Sequence, residues 1–506
     1  MDEQIETPGL PDASLPTMEM PTVELWSDSA GTNEPSPLVE LFCWGLILAI
    51  CGLLFFSQWQ TQNSEAEKFD GMAEAMPEVR AVGFTTRLLI AQKNLGGLAS
   101  AIDGESLNAG SLWQRYANSI QIAEIAGPAQ ALDFLDTVDD AVQAEAYTPD
   151  ERQKAIRATL ENVYRVREFS GPGEIAEFEN KDAEILTKEF GWLGMLVLNP
   201  VAKNRDTDRP GIDDRANKMI FVLIGVGFVV ILMFLASSIC LPFAILFFVR
   251  GKFQSRLPDQ AGSGSIYLEM FACWLLLTVL LVPLIVLAAG EMGLKLKDNM
   301  ITIGFIAQLI PLVGAIVWPT LRGMSGARVM QDLGLSGHNP FAEIGAGIFG
   351  YICAVIPLAA LLAIVQAMLF LTGGLEQGGL NSPPALHPAQ ELMMSGNVTT
   401  IVFILLTASV VAPLVEEIVF RGALYRYLRD RTGNQTRWTS VIIAILVSGI
   451  LFSGIHPQNL VGLIPLTTLA TFMALMRQWR SSLIASMTFH GLNNGVLMCM
   501  MLLMYL

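Results

Sequence analysis

The sequence predicts an all-α protein, a polytopic bundle of about nine transmembrane helices with an inserted helical extramembrane domain. Three observations predict it. Hydrophobic residues make up 52% of the 506 residues and charged residues only 15%, against about 25% charged residues in soluble domains. The chain has several apolar stretches long enough to cross a bilayer. The polar region between the first two of them has helical periodicity.

A membrane-spanning helix needs roughly 20 mostly apolar residues. The second apolar stretch is longer than this, and its Pro242 could allow a kink. The nine predicted spans are 41–58, 219–249, 266–290, 301–319, 343–372, 400–428, 439–457, 460–477 and 482–505.

The predicted domains follow from composition. Residues 1–40 contain nine acidic residues and no Lys or Arg, and are rich in Pro, Ser and Thr. Such a segment buries too little apolar surface to fold, so it is predicted to be disordered. The first membrane helix, 41–59, has no basic region before it and is expected to be retained. Residues 60–217 form the extramembrane domain, 218–397 further bundle helices, and 398–506 the helices that carry the chemistry described below.

Within the extramembrane domain, Thr148-Pro149-Asp150-Glu151 predicts a helix start. Thr148 would be the N-cap, Pro149 the first helical residue, and Glu151 the partner three residues after the cap. An apolar stripe follows at Ile156, Leu160, Val163 and Tyr164.

Charge excludes one class of partner and predicts an orientation. The net charge of −16 argues against nucleic acid, which requires a basic surface. Short loops rich in Lys and Arg favour the cytoplasmic side. The residues concerned are Arg250, Lys252, Arg256, Arg322, Arg328, Arg426, Arg429, Arg431, Arg437, Arg477 and Arg480. This places the domain 60–217 outside and the acidic tail inside. The six cysteines contain no C-x-x-C pair, so they are interpreted as small apolar side chains.

The sixth predicted span contains two acidic residues, Glu416 and Glu417, within an apolar helix. Charges at membrane depth are costly and usually face a cavity or a partner. Glu417 and Arg421 have i,i+4 spacing, which predicts an ion pair. Glu416 lies about 100° away around the helix and can address a site. Alternatively, both glutamates only neutralise arginines at a helix end.

Two further spans each carry a histidine and a second residue at i,i+4 spacing, Phe452 with His456 and His490 with Asn494. Each pair projects from one helix face. At 1.5 Å per residue, Glu416, His456 and His490 lie about 21, 25 and 12 Å from the predicted cytoplasmic ends of their helices. These depths allow the three side chains to meet only if the helices kink or their ends shift.

In order and spacing, Glu416-Glu417-x-x-x-Arg421, Phe452-x-x-x-His456 and His490-x-x-x-Asn494 resemble the three motifs of the CPBP family. This is the family of type II CAAX prenyl proteases and bacteriocin-processing enzymes. The resemblance covers about residues 400–500 and implies an intramembrane endopeptidase. It implies that Glu416, helped by His456, activates water, and that His490 and Asn494 stabilise the oxyanion. Glu417, Arg421 and Phe452 would shape the site.

This role fits the chemistry, because a carboxylate stripped of water is a stronger base, and donors at low dielectric stabilise an oxyanion. The resemblance requires no cofactor in this mechanism. Members of the family have also been regarded as metalloproteases, so the alternative is a zinc ion held by Glu416, His456 and His490.

Other protease classes fit less well. The sequence contains no H-E-x-x-H and no G-x-S-x-G motif. A Ser453–His490 dyad is disfavoured, because small residues such as Ser453 usually let helices pack closely.

The predicted setting is a multi-pass protein of a bacterial-type cytoplasmic membrane. Its predicted partners are the lipid bilayer and a membrane-associated or lipidated polypeptide substrate. A transport protein or a scaffold on the same fold stays a third possibility, since ionisable groups in membranes also mark ion pathways.

Overall fold

The structure is a computed structural model. It describes residues 36–63, 73, 76–94, 107–170, 180–199, 209–253, 257, 263–292, 296–371, 398–456 and 460–503. Within these ranges the ordered elements are helices and there is no strand, which confirms the predicted all-α class.

In the described residues of the first half of the chain there are eight helices. α1 is apolar, α2 to α7 belong to the region between the first two predicted spans, and α8 is a single helix of 41 residues that contains Pro242. Their bounds are α1 Pro37–Asn63, α2 Pro77–Asn94, α3 Leu112–Ile125, α4 Pro128–Ala144, α5 Glu151–Ser170, α6 Asn180–Phe190, α7 Trp192–Leu198 and α8 Arg209–Val249.

The described residues of the second half form eight more helices. α11 is a short helix of seven residues, and the others are longer. Their bounds are α9 Ile266–Glu291, α10 Leu296–Leu321, α11 Gly326–Asp332, α12 Pro340–Leu371, α13 Val398–Arg431, α14 Arg437–Gly454, α15 Leu460–Arg480 and α16 Leu483–Leu503.

The helix α13 is not a continuous α-helix. Two π-helical stretches, Thr407–Val411 and Ile418–Leu424, interrupt it, so that the segment Ala412–Glu417 is a short α-helical piece between them. The sequence predicted a helical span here, 400–428, but not the two π-helical stretches within it. Pro413 has no N–H to donate, and π-helical turns often accommodate such a defect at functional sites.

The buried apolar side chains form two separate clusters. One lies in α2 to α7 and includes Trp113, Tyr116, Leu160 and Tyr164. The other unites α1 with α9 to α16, around residues such as Phe420. Two separate cores are typical of two domains, because each core buries its own apolar surface.

One helix joins the two parts. The first turns of α8 contribute Ala216 to the core of the α2–α7 domain. Further along, the Ser237 hydroxyl of α8 accepts a hydrogen bond of 3.3 Å from the Ile356 N–H of α12. Ile356 precedes Pro357, at which α12 loses an internal hydrogen bond. α8 therefore packs against both the α2–α7 domain and the bundle.

The protein is an integral, multi-pass membrane protein. Five described helices are long and apolar enough to cross a membrane, and two shorter helices, Ala307–Leu321 and Trp438–Gly454, are also apolar. Many large apolar side chains of α8 are exposed, including Phe221, Phe228 and Phe243, as expected of a surface that faces lipid. The total of nine spans stays a prediction.

The predicted basic loops gather at one end of the bundle. Three contacts join the helix ends concerned: Glu40 to Arg431 at 3.3 Å, Phe248 to Trp438 between ring centroids 5.6 Å apart, and Phe253 to Trp479 at 4.6 Å. α1 begins at this end and α8 finishes there, so the α2–α7 domain lies at the other end. Assigning the basic end to the cytoplasm rests on the distribution of Lys and Arg.

Two predicted boundaries were wrong. α1 begins at Pro37, so residues 37–40 of the predicted disordered tail are helical, while residues 1–35 lie outside the described ranges. α5 begins at Glu151, and its cap is Asp150. The Asp150 carboxylate accepts from the Gln153 N–H at 2.8 Å, and the Gln153 side chain accepts from the Asp150 N–H at 3.0 Å. This capping box lies two residues beyond the Thr148 cap that was predicted.

Candidate active site

Three helices bring the motif residues together. Glu416 and Glu417 lie in the α-helical piece of α13, His490 lies in α16, and His456 follows the last residue of α14 by two positions. The chain leaves the α-helix at that point, and the His456 N–H donates to the Ser453 carbonyl at 3.2 Å. The depths estimated from the sequence differed, but the side chains meet.

Glu417 is the buried centre of a charged group. Its Oε1 lies 3.0 Å from Arg421 Nη1, so the ion pair predicted from the i,i+4 spacing is present. The same oxygen lies 3.1 Å from Nδ1 of His490. Both members of the ion pair are almost fully buried. Glu417 therefore holds Arg421 and His490 in fixed positions rather than facing solvent.

Phe452 packs against the charged group formed by Glu417, Arg421 and His490. Its ring lies 4.5 Å from the Arg421 guanidinium carbon, within the range of a cation–π contact. The ring centroids of His456 and His490 lie 4.5 and 5.9 Å away, and that of Phe420 lies 5.2 Å away. One buried ring thus contacts residues from all three motifs.

Glu416 faces both histidines. Its Oε2 lies 3.7 Å from Nε2 of His456 and 3.7 Å from Nε2 of His490. These separations exceed a direct hydrogen bond of about 2.7–3.2 Å. The side chains of Glu416 and His456 are 20% and 24% exposed, while that of His490 is 3% exposed. Glu416 and His456 therefore form the accessible part of the site.

The partners of the two Nδ1 atoms decide which ring nitrogens carry protons. Nδ1 of His456 lies 2.6 Å from the Phe452 carbonyl, and a carbonyl can only accept, so this nitrogen donates. Nδ1 of His490 faces the Glu417 carboxylate and donates in the same way. In a neutral imidazole the second nitrogen is an acceptor. Nε2 of neutral His456 therefore presents a lone pair towards Glu416, and so does Nε2 of His490 when that ring is neutral.

Asn494 is oriented towards the backbone of α13. Its Nδ2 donates to the Ala408 carbonyl at 3.0 Å, and its Oδ1 accepts from Asn493 at 3.4 Å. The oxyanion role that the resemblance implies for Asn494 stays a prediction.

Arg477 is a residue of this region that the sequence analysis misplaced. It was assigned to a cytoplasmic loop, but it lies inside α15 with a relative exposure of 0%. Its guanidinium donates to three backbone carbonyls, those of Arg421 at 3.4 Å, Asp332 at 2.6 Å and Ser481. Arg477 therefore links the second π-helical stretch of α13 to α11 and to the end of α15.

A zinc site requires three or four nitrogen, oxygen or sulfur ligands around one point. Glu416, His456 and His490 are suitable ligand types and they approach one another. Among the described residues, however, no group of three or more His, Cys, Asp or Glu side chains is arranged so that it could hold a metal ion. The side chains as they stand do not fit the metal, so the chemistry below is derived without it.

The serine–histidine alternative finds no support in the contacts of Ser453. Its hydroxyl donates to the Gly449 carbonyl at 2.9 Å and lies 2.8 Å from the Thr467 hydroxyl. Ser453 is fully buried and joins α14 to α15, as expected of a small residue between packed helices.

Comparison with known protein families agrees with the motif assignment. Residues 398–496, about a fifth of the chain, match the family described as Type II CAAX prenyl endopeptidase Rce1-like. This segment contains all three motifs and helices α13 to α15 with most of α16. These residues match the CPBP/CAAX protease family, and we call residues 398–496 the CAAX protease domain. No curated protein and no solved structure gave a significant match to the chain.

The family match supports an intramembrane endopeptidase activity for this CAAX protease domain, residues 398–496. The family acts on prenylated membrane peptides. The α2–α7 domain lies outside the matched residues.

Proposed function

We propose that the CAAX protease domain hydrolyses peptide bonds with a water molecule activated by Glu416. The observation that carries this proposal is the position of Glu416 Oε2, 3.7 Å from Nε2 of both His456 and His490. A water about 2.8 Å from Glu416 Oε2 and from His456 Nε2 would hydrogen-bond to both. The two acceptors would subtend an angle of about 80° at the water oxygen, about 20° less than the angle between its O–H bonds, so each hydrogen bond would be bent by only about 10°.

In the proposed reaction, Glu416 takes a proton from this water as the oxygen attacks the carbonyl carbon of the substrate. The bond that forms is C–O, and the carbonyl oxygen becomes the oxyanion. When the C–N bond breaks, the leaving amine takes the proton back from Glu416. His456 orients the water by accepting its second hydrogen. General base catalysis of this kind contributes about 10²–10⁴-fold to a rate.

His490 is suited to stabilise the oxyanion. Glu417 holds its Nδ1–H and so orients the ring, and the protonated imidazole would donate from Nε2 to the oxyanion. Donors at low dielectric stabilise a developing oxyanion strongly. In this proposal Glu417 and Arg421 orient the imidazole of His490, and the Phe452 ring packs against Arg421 and His490.

The proposed substrate is a membrane-associated or lipidated polypeptide. Support for it comes from the family match and from the position of the site between apolar helices. Comparative proteomics of membrane fractions tests it, using cells that express the unchanged protein, Glu416→Gln, or the control Thr468→Val. Thr468 is a half-buried residue of α15 whose hydroxyl bonds within its own helix.

The expected result is one or more membrane polypeptides that are shortened with the unchanged protein and with Thr468→Val, and intact with Glu416→Gln. The new C-termini also identify the cleaved bond. If the shortened forms persist with Glu416→Gln at equal protein abundance, Glu416 is not the base. If no polypeptide differs between any of the cells, a transport or scaffold function is favoured.

The zinc alternative has its own measurement. Purified protein is analysed for bound metal and is then assayed after extraction with a chelator. The proposal predicts less than about one metal ion per ten chains and unchanged cleavage of a prenylated test peptide. One zinc per chain, with cleavage that is lost on extraction and restored by zinc, would replace this mechanism with a metalloprotease.

A further inference from the structure

The first π-helical stretch of α13 leaves a carbonyl without its helical partner. In a π-helix each N–H bonds to the carbonyl five residues before it. The Ala412 N–H follows this rule and donates to the Thr407 carbonyl. The next bond in the same register would run from residue 413 to Ala408. Residue 413 is proline, which has no N–H. The Ala408 carbonyl therefore needs another donor, because an unpaired polar group in a membrane is costly.

Asn494 supplies that donor. Its Nδ2 lies 3.0 Å from the Ala408 oxygen. The surface of α16 around Asn494 is also shaped to fit this stretch. A Cβ added to Gly491 would lie 2.5 Å from the Ser409 carbonyl oxygen, so only glycine lets the two helices approach this closely. Gly495, one turn further on, faces the Ser409 side chain.

The π-helical stretch and Pro413 come shortly before Glu416 in α13. A π-helical stretch adds a residue to a turn, so its loss would rotate everything that follows by about 100° relative to what precedes it. Such a rotation would turn Glu416 away from His456 and His490. The direction of Glu416 thus depends on whether the π-helical stretch persists.

We propose that Asn494 is a positioning residue that replaces the N–H missing at Pro413 and so fixes the direction of Glu416. This differs from the oxyanion role implied by the resemblance, in which Asn494 acts on the substrate. This proposal rests on the proposed function in one respect, namely that Glu416 is the base. The hydrogen bond from Asn494 to the Ala408 carbonyl exists without substrate. Its loss should therefore lower the melting temperature of the free protein.

The test is a double-mutant cycle with Asn494→Ala and Pro413→Ala. Pro413→Ala introduces an N–H that can reach the Ala408 carbonyl in the π register, which makes the Asn494 amide redundant. Two quantities are measured for the four proteins and for the control Thr468→Val. One is the melting temperature of the purified protein without substrate. The other is the pair kcat and KM for a quenched, prenylated test peptide.

With Pro413 present, Asn494→Ala is expected to lower the melting temperature by roughly 1–2 °C and kcat by about tenfold, with KM unchanged. In the Pro413→Ala background, the same change is expected to lower the melting temperature by less than about 1 °C and kcat by less than about threefold. A positioning role predicts that Pro413→Ala reduces the effect of Asn494→Ala in this way. A contact between Asn494 and substrate predicts the same effect in both backgrounds.

The proposal is overturned if Asn494→Ala leaves the melting temperature unchanged, or if it lowers both quantities equally in the two backgrounds. An unchanged melting temperature with an equal loss of kcat in both would assign Asn494 to the oxyanion. If Pro413→Ala abolishes cleavage, or if no variant cleaves the peptide, the melting temperatures alone decide. Failure of the proposed function is therefore distinguishable from failure of this inference.

Discussion

Glu417 and Arg421 form a buried ion pair, and removing Glu417 should destabilise the protein by a different amount from removing Arg421. The change Glu417→Gln leaves a guanidinium that cannot lose its proton at any accessible pH. The change Arg421→Met leaves a carboxylate, which can take up a proton and which keeps His490 as a hydrogen-bond partner. We therefore expect Glu417→Gln to be the more harmful substitution.

The magnitude follows from the geometry. At the 3.0 Å between Arg421 Nη1 and Glu417 Oε1, two unit charges attract by about 5–6 kcal/mol at an effective dielectric constant of about 20. Breaking a buried pair by removing one member typically costs about 3–5 kcal/mol. We expect a loss in this range for Glu417→Gln and about 1–3 kcal/mol for Arg421→Met. The double variant should lose at least about 2 kcal/mol less than the sum of the two losses, because no unpaired charge remains.

The assay is unfolding of the purified protein in mixed micelles as a denaturing detergent is titrated. Glu151→Gln is the matched control, since Glu151 pairs with Lys154 at 2.8 Å on the surface of α5. Its side chain is 91% exposed, so its loss should change stability by less than about 0.5 kcal/mol. Additive losses for the two single variants, or a Glu417→Gln loss no larger than that of the control, would refute this description of the pair.

Two other predictions concern packing and capping. Gly491→Ala should reduce both the melting temperature and cleavage, because its Cβ would lie 2.5 Å from the Ser409 carbonyl oxygen. Gly495→Ala should be tolerated, since the atom nearest to its Cβ is the Ser409 hydroxyl oxygen at 3.4 Å. Equal effects of the two substitutions on the melting temperature would contradict the close approach of α16 to α13. Asp150→Ala should speed amide exchange in the first turn of α5 by about fivefold, the equivalent of about 1 kcal/mol, and Thr148→Ala should not; the reverse order would restore Thr148 as the cap.

Spacing along single helices was sufficient to predict much of the site. The i,i+4 relation of Glu417 and Arg421 gave the ion pair, and the same spacing placed His456 beside Phe452. Costly polar side chains in several apolar helices also pointed to a shared site, and Glu416 does meet both histidines. These contacts depend on the spacing of residues along one helix, and that spacing can be counted directly in the sequence.

Contacts that depend on departures from regular helix were not predictable in this way. The depth estimates assumed 1.5 Å per residue throughout, but α13 contains two π-helical stretches. Pro413 was the available signal, since it removes a donor, yet the donor that replaces it comes from Asn494 on another helix. Arg477 resembled a loop charge because it stands near a helix end, and only the packing of α11 against α15 shows that it is buried among carbonyls.

The central claim is that Glu416 is the base, and cleavage rates of purified, metal-extracted protein test it most directly. A quenched prenylated peptide is offered to the unchanged protein, to Glu416→Gln and to Thr468→Val, each at the same concentration of folded protein. We predict that Glu416→Gln lowers kcat by about 10²–10⁴-fold at an unchanged melting temperature, while Thr468→Val cleaves at the normal rate. A Glu416→Gln protein that cleaves within about threefold of the unchanged protein would contradict the claim.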